Sequence, residues 1–498
     1  MRGQKAITNF LSRTIYFKIL WAILVILKIN PIVSRKTSPL FYFLLLYGAA
    51  IILYDFFTDK KALQNKYIVP IFLFFAFMGL STIINYDKGL ADNLKTFVTT
   101  AIQFMVIGRV DLKRSWKDIM NDMRIVSNVV IVGVTIVSLV SLCLLAFGIN
   151  GFYELPSEDE VMEELIYYYG VGFGGRLVGI FPNPNSVGAF CSIALLCTLM
   201  NLVISSNKLA YKIVYIISMV INFLCIVLSG SRGALLPIYI CAFILSFLLL
   251  VFKFAHKKNT VFKYLKIVLI SIICVVLVYG SVEIIGSNMR KIPSFINAEK
   301  EAAFYNPDRI KLIGDDISLF KDSRDRTTIW LIGMNTAKKK PIFGVGKAKL
   351  YEYVTNNWSN SIIPPGMKRG SLHNIYLETL VAYGLPTLIS FILLLYFVLA
   401  DYVKAMIRTK LSDKNRYYFG SFVLIVLFFI MGNNMFESIM LYHSNLPSFI
   451  FVLYLGYIMY FNQHDLSDNG DNIIYRYCKK ISSYMIDFYK HISHRFAL

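Results

Sequence analysis

Long apolar runs, separated by short polar or basic stretches, set the pattern of this chain. They lie near 14–33, 38–57, 67–85, 94–109, 124–148, 184–204, 210–229, 232–253, 262–286, 384–404, 419–436 and 445–462. Most reach the roughly 18–20 residues that cross a bilayer core. The stretch at 94–109 carries the weakest signal. The expected fold is an all-α polytopic membrane protein of about twelve transmembrane helices. The pattern breaks between 287 and 372, a soluble stretch too long to be a simple connection. Within it, "DSRDRTTIWLIGMNTAKKKP" has helical spacing, with Asp322 or Ser323 as N-cap and Pro341 as stop. Arg326, Trp330, Met334 and Ala337 would share one face. Short amphipathic helices on the outer membrane boundary are expected there. The organisation read from this pattern is 1–286 (nine spans), 287–372 (the long loop), 373–462 (a His-Asn helix and three spans) and 463–498 (a basic tail).

Composition agrees with a membrane chain. Hydrophobic residues make up 56% and charged residues 16% of 498, against about 25% charged in soluble domains. The formal net charge of +21 could suggest nucleic acid, but the basic residues cluster between apolar runs, where they act as topology signals. One set comprises Lys60, Lys61, Lys66; Arg109, Lys113, Arg114, Lys117; Lys208, Lys212; Lys253, Lys257, Lys258; and Lys404, Arg408, Lys410, Lys414, Arg416. With twelve spans all of these fall on the side of both termini, which is then cytoplasmic; Arg35 and Lys36 are exceptions. The opposite loops are poor in charge or acidic, as in "SEDEVMEEL" at 157–165. The basic N-terminus (Arg2, Lys5, Arg13) precedes an apolar run without a small-residue cleavage site, so a retained first helix is expected. The cysteines show no metal-ligand spacing and imply no disulfide framework. The tail at 471–495, with Tyr475, Tyr477, Lys479, Lys480, Ile486, Phe488 and Lys490, reads equally as a surface-lying helix on anionic lipid or as a solvated basic end.

Four polar marks fall on the outer side. In "LSGSRGALL" (228–236) two spans meet at a Ser-Gly-Ser turn and Arg232 opens the next helix, as a site residue or as a snorkelling arginine. In "GGRLVGIFPNPNSVGAF" (174–190) Asn183 or Asn185 can cap the following helix, and Arg176 is a second external cation. In "DRTTIW…KKKPIFGVG" (325–346), Arg326 either faces the membrane mouth or pairs with Asp322 at the surface, the reading that spacing alone favours. The last is "RGSLHNIYLETLVAYGLP" (369–386). There His373 would begin a helix, with Tyr376, Leu377 and Leu380 on its face and Asn374 and Glu378 on the neighbouring one. His373 is either an interfacial cap or a base, and His443 is its competitor. The arginines suit phosphate oxygens, and a histidine titrating near neutrality can take a proton or orient a hydroxyl. No Asp-rich metal motif lies beside them, and arginines could stabilise a pyrophosphate leaving group in a metal's place. No metal and no cofactor is expected.

"SGSRGALL", "GIFPNPNSVGAF", "DRTTIW" with "PIFGVG", and "HNIYLETLVAYGLP" together resemble, in order, the elements of the O-antigen ligase and O-antigen/capsule polymerase superfamily. The resemblance runs from about Arg176 to Leu388. It implies a fold like the membrane-embedded (GT-C-like) glycosyltransferases, with the long loop extracytoplasmic. It also implies inverting, metal-independent glycosyl transfer between undecaprenyl-pyrophosphate-linked sugars at the outer face of the bacterial plasma membrane. Arg232 and Arg326 match the family's donor-pyrophosphate arginines, and His373 the histidine that serves the acceptor hydroxyl. Arg176, Asn185, Asn374, Tyr376 and Glu378 are candidates to hold sugar, phosphate or the histidine. A polymerase of lipid-linked repeats is preferred over a ligase that moves the polymer to lipid A core or protein. A flippase is the reading from another class, and is disfavoured because its binding groups belong near the midplane. The expected partners are the lipid-linked donor and acceptor, the bilayer and a chain-length regulator, with no nucleic acid.

Overall fold

The computed structural model describes residues 13–58, 65–112, 114–155, 165–172, 175–204, 209–254, 261–289, 291–292, 324–358, 371–409 and 414–465. Asp322, Ser323, the acidic loop "SEDEVMEEL" up to Glu164, Lys60, Lys61, Lys113, Lys208, Lys257, Lys258, Lys410 and the 471–495 tail lie outside them.

The chain folds into helices α1 (Ile15–Leu27), α2 (Pro31–Lys36), α3 (Ser38–Thr58), α4 (Ile68–Ile84), α5 (Leu90–Ile102) and α6 (Trp116–Ala146). A small sheet follows, of β1 (Gly151–Leu155), β2 (Leu165–Gly172) and β3 (Arg176–Gly179). Then come α7 (Pro184–Ile204), α8 (Leu209–Ser229), α9 (Arg232–Lys253), α10 (Val261–Met289), α11 (Arg324–Lys339) and α12 (Leu350–Asn357). The series ends with α13 (Ile375–Tyr383), α14 (Leu385–Thr409), α15 (Lys414–Asn433) and α16 (Leu446–Asp465). Among the described residues eight helices are long and apolar enough to cross a bilayer: α3, α6 to α10, α14 and α15. The other four stretches expected to span are also helical. Of these, α1 and α4 are shorter, the 94–109 stretch is α5 continued by a π-turn at Gln103–Ile107, and the last turn of α16 is polar, from Asn462 to Asp465.

The all-α expectation needs one correction. The antiparallel sheet β1-β2-β3 interrupts the helices. Its tyrosines supply the reason: Tyr153 stacks on Tyr167 at 5.7 Å and on Tyr169 at 6.4 Å across β1 and β2, the cross-strand aromatic pairing that stabilises a sheet.

At the centre is α16, whose apolar residues are almost all fully buried. It admits neighbours closely: a Cβ on Gly456 would stand 2.7 Å from the Gly108 carbonyl oxygen. Its two ends mark the two ends of the bundle. Near its start, Ser448 donates to Gln103 Oε1 at 2.9 Å and Lys28 reaches Ser444 at 2.5 Å. Near its finish, Asn462 donates to the Tyr67 hydroxyl at 2.7 Å and Tyr460 to the Arg114 carbonyl at 2.7 Å. Lys66, Arg109, Arg114, Lys404 and Arg416 gather at that second end, as contacts with Asp401, Asp55, Asp122 and the Trp116 ring show.

A second, smaller core caps the first end. Ile329, Ile332 and Ala337 of α11 pack with Val345, Leu350, Val354, Leu372, Leu377 and Val381. The buried stripe of α11 thus runs through Ile329, Ile332, Gly333, Thr336 and Ala337. Met334 and Ala337, expected to share one face, are separated: Met334 is exposed and Ala337 buried, while Gly333 packs so closely that a Cβ there would lie 3.0 Å from Leu377. The "PIFGVG" segment clamps α13: Val345 and Gly346 donate to the Val381 and Ala382 carbonyls at 2.9 and 3.0 Å. Gly344 has φ +63°, and a Cβ there would meet Ala382 backbone at 2.5 Å, so only glycine fits.

Candidate active site

Each polar mark is positioned by its own local structure. Asn183 accepts from Ser186 N at 2.9 Å and so caps α7, with Pro184 at the first helical position. That frees the side chain of Asn185. Ser229, Gly230 (φ +55°) and Ser231 form the turn between α8 and α9, in which Ser231 N donates to Ser229 Oγ at 3.2 Å. Gly188 lets the two chains meet, since a Cβ there would lie 2.6 Å from Ser231 Cβ. Arg176 on β3 donates through Nε to the Ser229 carbonyl at 2.7 Å and through Nη2 to Asn185 Oδ1 at 2.9 Å.

His373 does not begin a helix. It has φ +49°, a conformation uncommon outside glycine and worth attention at a site. Asn374 is the N-cap, accepting from Tyr376 N and Leu377 N at 3.0 Å each, and its own N–H donates to Ser438 Oγ at 3.0 Å. Helix α13 starts only after it, because the cap needs extended backbone. Trp330 Nε1 donates to the Leu372 carbonyl at 3.1 Å, tying α11 to the same segment.

These elements converge on Glu437, in the connection between α15 and α16. Its Oε1 accepts from Asn185 Nδ2 at 2.7 Å and from Arg326 Nη2 at 3.3 Å. Its Oε2 lies 3.4 Å from His373 Nδ1. Asn434 holds the connection in shape: its Oδ1 accepts from Ile439 N and Met440 N at 2.8 Å each, and its carbonyl accepts from Ile375 N at 3.1 Å. Asn433 donates to the Gly233 carbonyl at 2.9 Å, next to Arg232, so the start of α9 borders the same cluster.

Electrostatically, one carboxylate stands among cations. The Glu437 side chain is 13% exposed. Burial disfavours its charge, but His373, Arg326 and the Asn185 amide outweigh burial and hold its carboxyl below the usual range. It therefore stays ionised and serves as internal counter-ion to Arg326. The ring nitrogen turned to Glu437 is Nδ1 of His373. A carboxylate that orients a histidine is a recurrent arrangement for a general base. The long 3.4 Å separation is of the kind that shortens when substrate binds.

The other candidates resolve differently. Glu378 is fully buried and faces away from His373. It pairs with Lys347 at 2.6 Å and accepts from Leu372 N at 3.0 Å. Burial opposes its charge, and Lys347 more than restores it, leaving its carboxyl below the usual range. Tyr376 donates to the Met431 carbonyl at 3.3 Å, and burial pushes its phenol up to about 12. Helix α13 has a buried side and a site-facing tip, and both residues lie on the buried side. Asn374 is spent as a cap. Arg326, whose surface partner was expected to be Asp322, pairs with Glu437. His443 sits near Glu378 and Lys347, where burial, then Lys347, pushes its imidazole down to about 4. The sequence reading missed Glu437; its signal was an acid in "NNMFESIMLYHSN", a connection otherwise without carboxylates.

Residues 217–392 match a family described as O-antigen ligase. The matched stretch runs from α8 into α14 and contains Arg232, Arg326 and His373. It leaves Arg176, Asn185 and Glu437 outside. No curated protein matches the chain.

Proposed function

We propose that this chain, which carries an O-antigen ligase family domain over residues 217–392, is a membrane glycosyltransferase that polymerises lipid-linked oligosaccharide repeats. The observation that carries this reading is the convergence of Arg326, His373 and Asn185 on Glu437 at one end of the helical bundle, with Arg176 bound to the other side of the Asn185 amide. Arginines around a buried carboxylate suit the pyrophosphate of a polyprenyl-linked donor. Their excess charge is already arranged before substrate arrives, so little reorganisation is needed as the leaving group develops charge.

In this reading the acceptor hydroxyl attacks the anomeric carbon of the donor sugar. The hydroxyl proton passes to the His373 imidazole. The bond from the anomeric carbon to the pyrophosphate oxygen breaks with inversion, and the lipid pyrophosphate leaves as an anion beside Arg326, Arg232 and Arg176. Glu437 holds the imidazole and stabilises its cation. The positively charged end of the bundle, with Lys66, Arg109, Arg114 and Arg416, faces the cytoplasm by the positive-inside rule. The Glu437 cluster then opens to the outer leaflet of the plasma membrane.

The family's description as O-antigen ligase favours a second reading, transfer of a finished polymer to another acceptor. A transporter is disfavoured because the polar cluster lies at a helix end and not midway along the spans. Purified protein given a single lipid-linked repeat separates these readings. A ladder of products on one lipid supports polymerisation. Transfer only to an added second acceptor means ligase, and movement of intact substrate across a vesicle without new bonds means transporter.

A further inference from the structure

At the other end of the bundle α1, the turn after Ile107 and α16 enclose a narrow cleft lined by Arg13, Lys18, Arg109, Arg114, Asp111 and Asp122. Tyr457 of α16 forms part of its wall, about 16 Å along that helix from Leu446 at 1.5 Å per residue. The cleft is therefore separate from the Glu437 cluster. Lys18 is buried, with Nζ 5.4 Å from the centre of the Tyr457 ring. Arg114 is fully engaged with Asp122 through both terminal nitrogens.

Arg109 is different. Its side chain is 4% exposed, and Nη1 meets Asp55 of α3 at 2.8 Å. Among the described residues its Nε and Nη2, and the Tyr457 hydroxyl, have no hydrogen-bond partner. A buried donor left unpaired is destabilising, and more so when it is charged. Several such donors on one cleft wall fit an acceptor that comes from outside the chain. Among the described residues four cations line the cleft with two carboxylates, and Asp55 stands behind Arg109, so positive charge is in excess there. A water molecule would satisfy the hydroxyl but not that charge.

We propose that this cleft binds a phosphate-bearing anion, with Lys18 and Arg109 as its charged donors and the Tyr457 hydroxyl as its third contact. The surroundings favour a lipid headgroup as the source. Tyr16, two residues before Lys18, and Phe56, next to Asp55, are 45% and 43% exposed, so apolar surface for acyl chains adjoins the polar cleft. Basic pockets between spans on the cytoplasmic side commonly take anionic headgroups. Such a lipid would lock α1 and α3 onto α16 at the end opposite the reaction.

The test uses the full chain in neutral detergent, with phosphatidylglycerol, phosphatidylcholine or inorganic phosphate added. Native mass spectrometry reads bound lipid and thermal melting reads protection. Phosphatidylglycerol should be retained in preference to phosphatidylcholine and should raise the melting temperature. Lys18→Met and Tyr457→Phe should each weaken retention, Lys18→Met by about tenfold, the worth of one charge-assisted hydrogen bond. Tyr457→Phe removes a single oxygen and keeps the packing, so it stays informative if Lys18→Met or Arg109→Gln fails to fold. Equal protection by inorganic phosphate would identify a free anion as the occupant of the same site. Retention equal for both lipids with no phosphate protection, or wild-type retention in both folded variants, overturns the proposal. None of these readouts depends on glycosyl transfer.

Discussion

His373 Nδ1 and Glu437 Oε2 lie 3.4 Å apart, joining the segment before α13 to the connection between α15 and α16. The pair is fixed from both sides. Asn374 N binds Ser438, the residue after Glu437, and Ile375 N binds the Asn434 carbonyl. Sixty-four positions separate the two side chains, yet three contacts hold them in register. If the imidazole acts as a base, the carboxylate sets which nitrogen carries the proton. Replacing His373 with glutamine should remove proton transfer, cost about 10²–10⁴-fold in turnover, and leave protein abundance unchanged. Initial rates on lipid-linked substrate, normalised to protein amount, check this.

The buried Glu378–Lys347 pair should behave in the opposite way. Removing one partner of a buried ion pair strands the other charge and costs about 3–5 kcal/mol. Glu378→Gln and Lys347→Met should each lower melting temperature and abundance. The double variant should recover much of both, and the protein that folds should keep its activity per molecule. Thermal melting of the three variants decides it. A Glu378→Gln protein of normal stability but no activity would return this residue to the site.

Stability should fall on mild acidification because of His443. Its folded imidazole is pushed down to about 4 from an ordinary 6.5. The unfolded chain binds a proton that the folded chain refuses, so His443 lowers stability as pH falls from about 6.5 towards 4. Above that window it has no effect. Glu437 and Glu378 act in the same direction at still lower pH. Their folded carboxyls lie below the ordinary value, so their contribution is present above it and is lost as pH falls through the folded values. Melting temperature across pH 4–7 should therefore flatten in His443→Gln.

The clamp formed by Gly344 and Gly384 should tolerate no side chain. Gly384 has φ +86°, and a Cβ there would fall 1.9 Å from the Ile342 carbonyl oxygen. Gly384→Ala must shift backbone, since no flexible neighbour can yield. It should reduce folded protein severalfold in membrane fractions, whereas Gly280→Ala, with nothing near its Cβ, should leave it unchanged. Quantitative immunoblotting of the two variants compares them directly.

Helices were legible because apolar runs report burial in lipid or core without regard to partners. Asn183 as a cap and Gly230 in the tight turn were legible because both act within a few residues. The sheet was not, because its stacking of Tyr153 on Tyr167 depends on pairing two strands across 156–164. Reading His373 on the face of α13 failed because the cap moved to Asn374, one residue on. Glu378 and Tyr376 were assigned by a helical wheel that cannot tell a site-facing side from a buried one. Glu437 could not be reached by spacing at all. Its partners come from α7, α11 and the segment before α13, and only tertiary packing brings them together.

The most direct test of this account is the rate of polymer formation by Glu437→Gln, measured at wild-type abundance on a purified lipid-linked repeat. Glutamine keeps an acceptor oxygen for Asn185 but removes the charge that orients His373 and balances Arg326. The account predicts a loss of about 10²-fold or more, with near-normal melting temperature. A Glu437→Gln protein that builds polymer at the wild-type rate would contradict it.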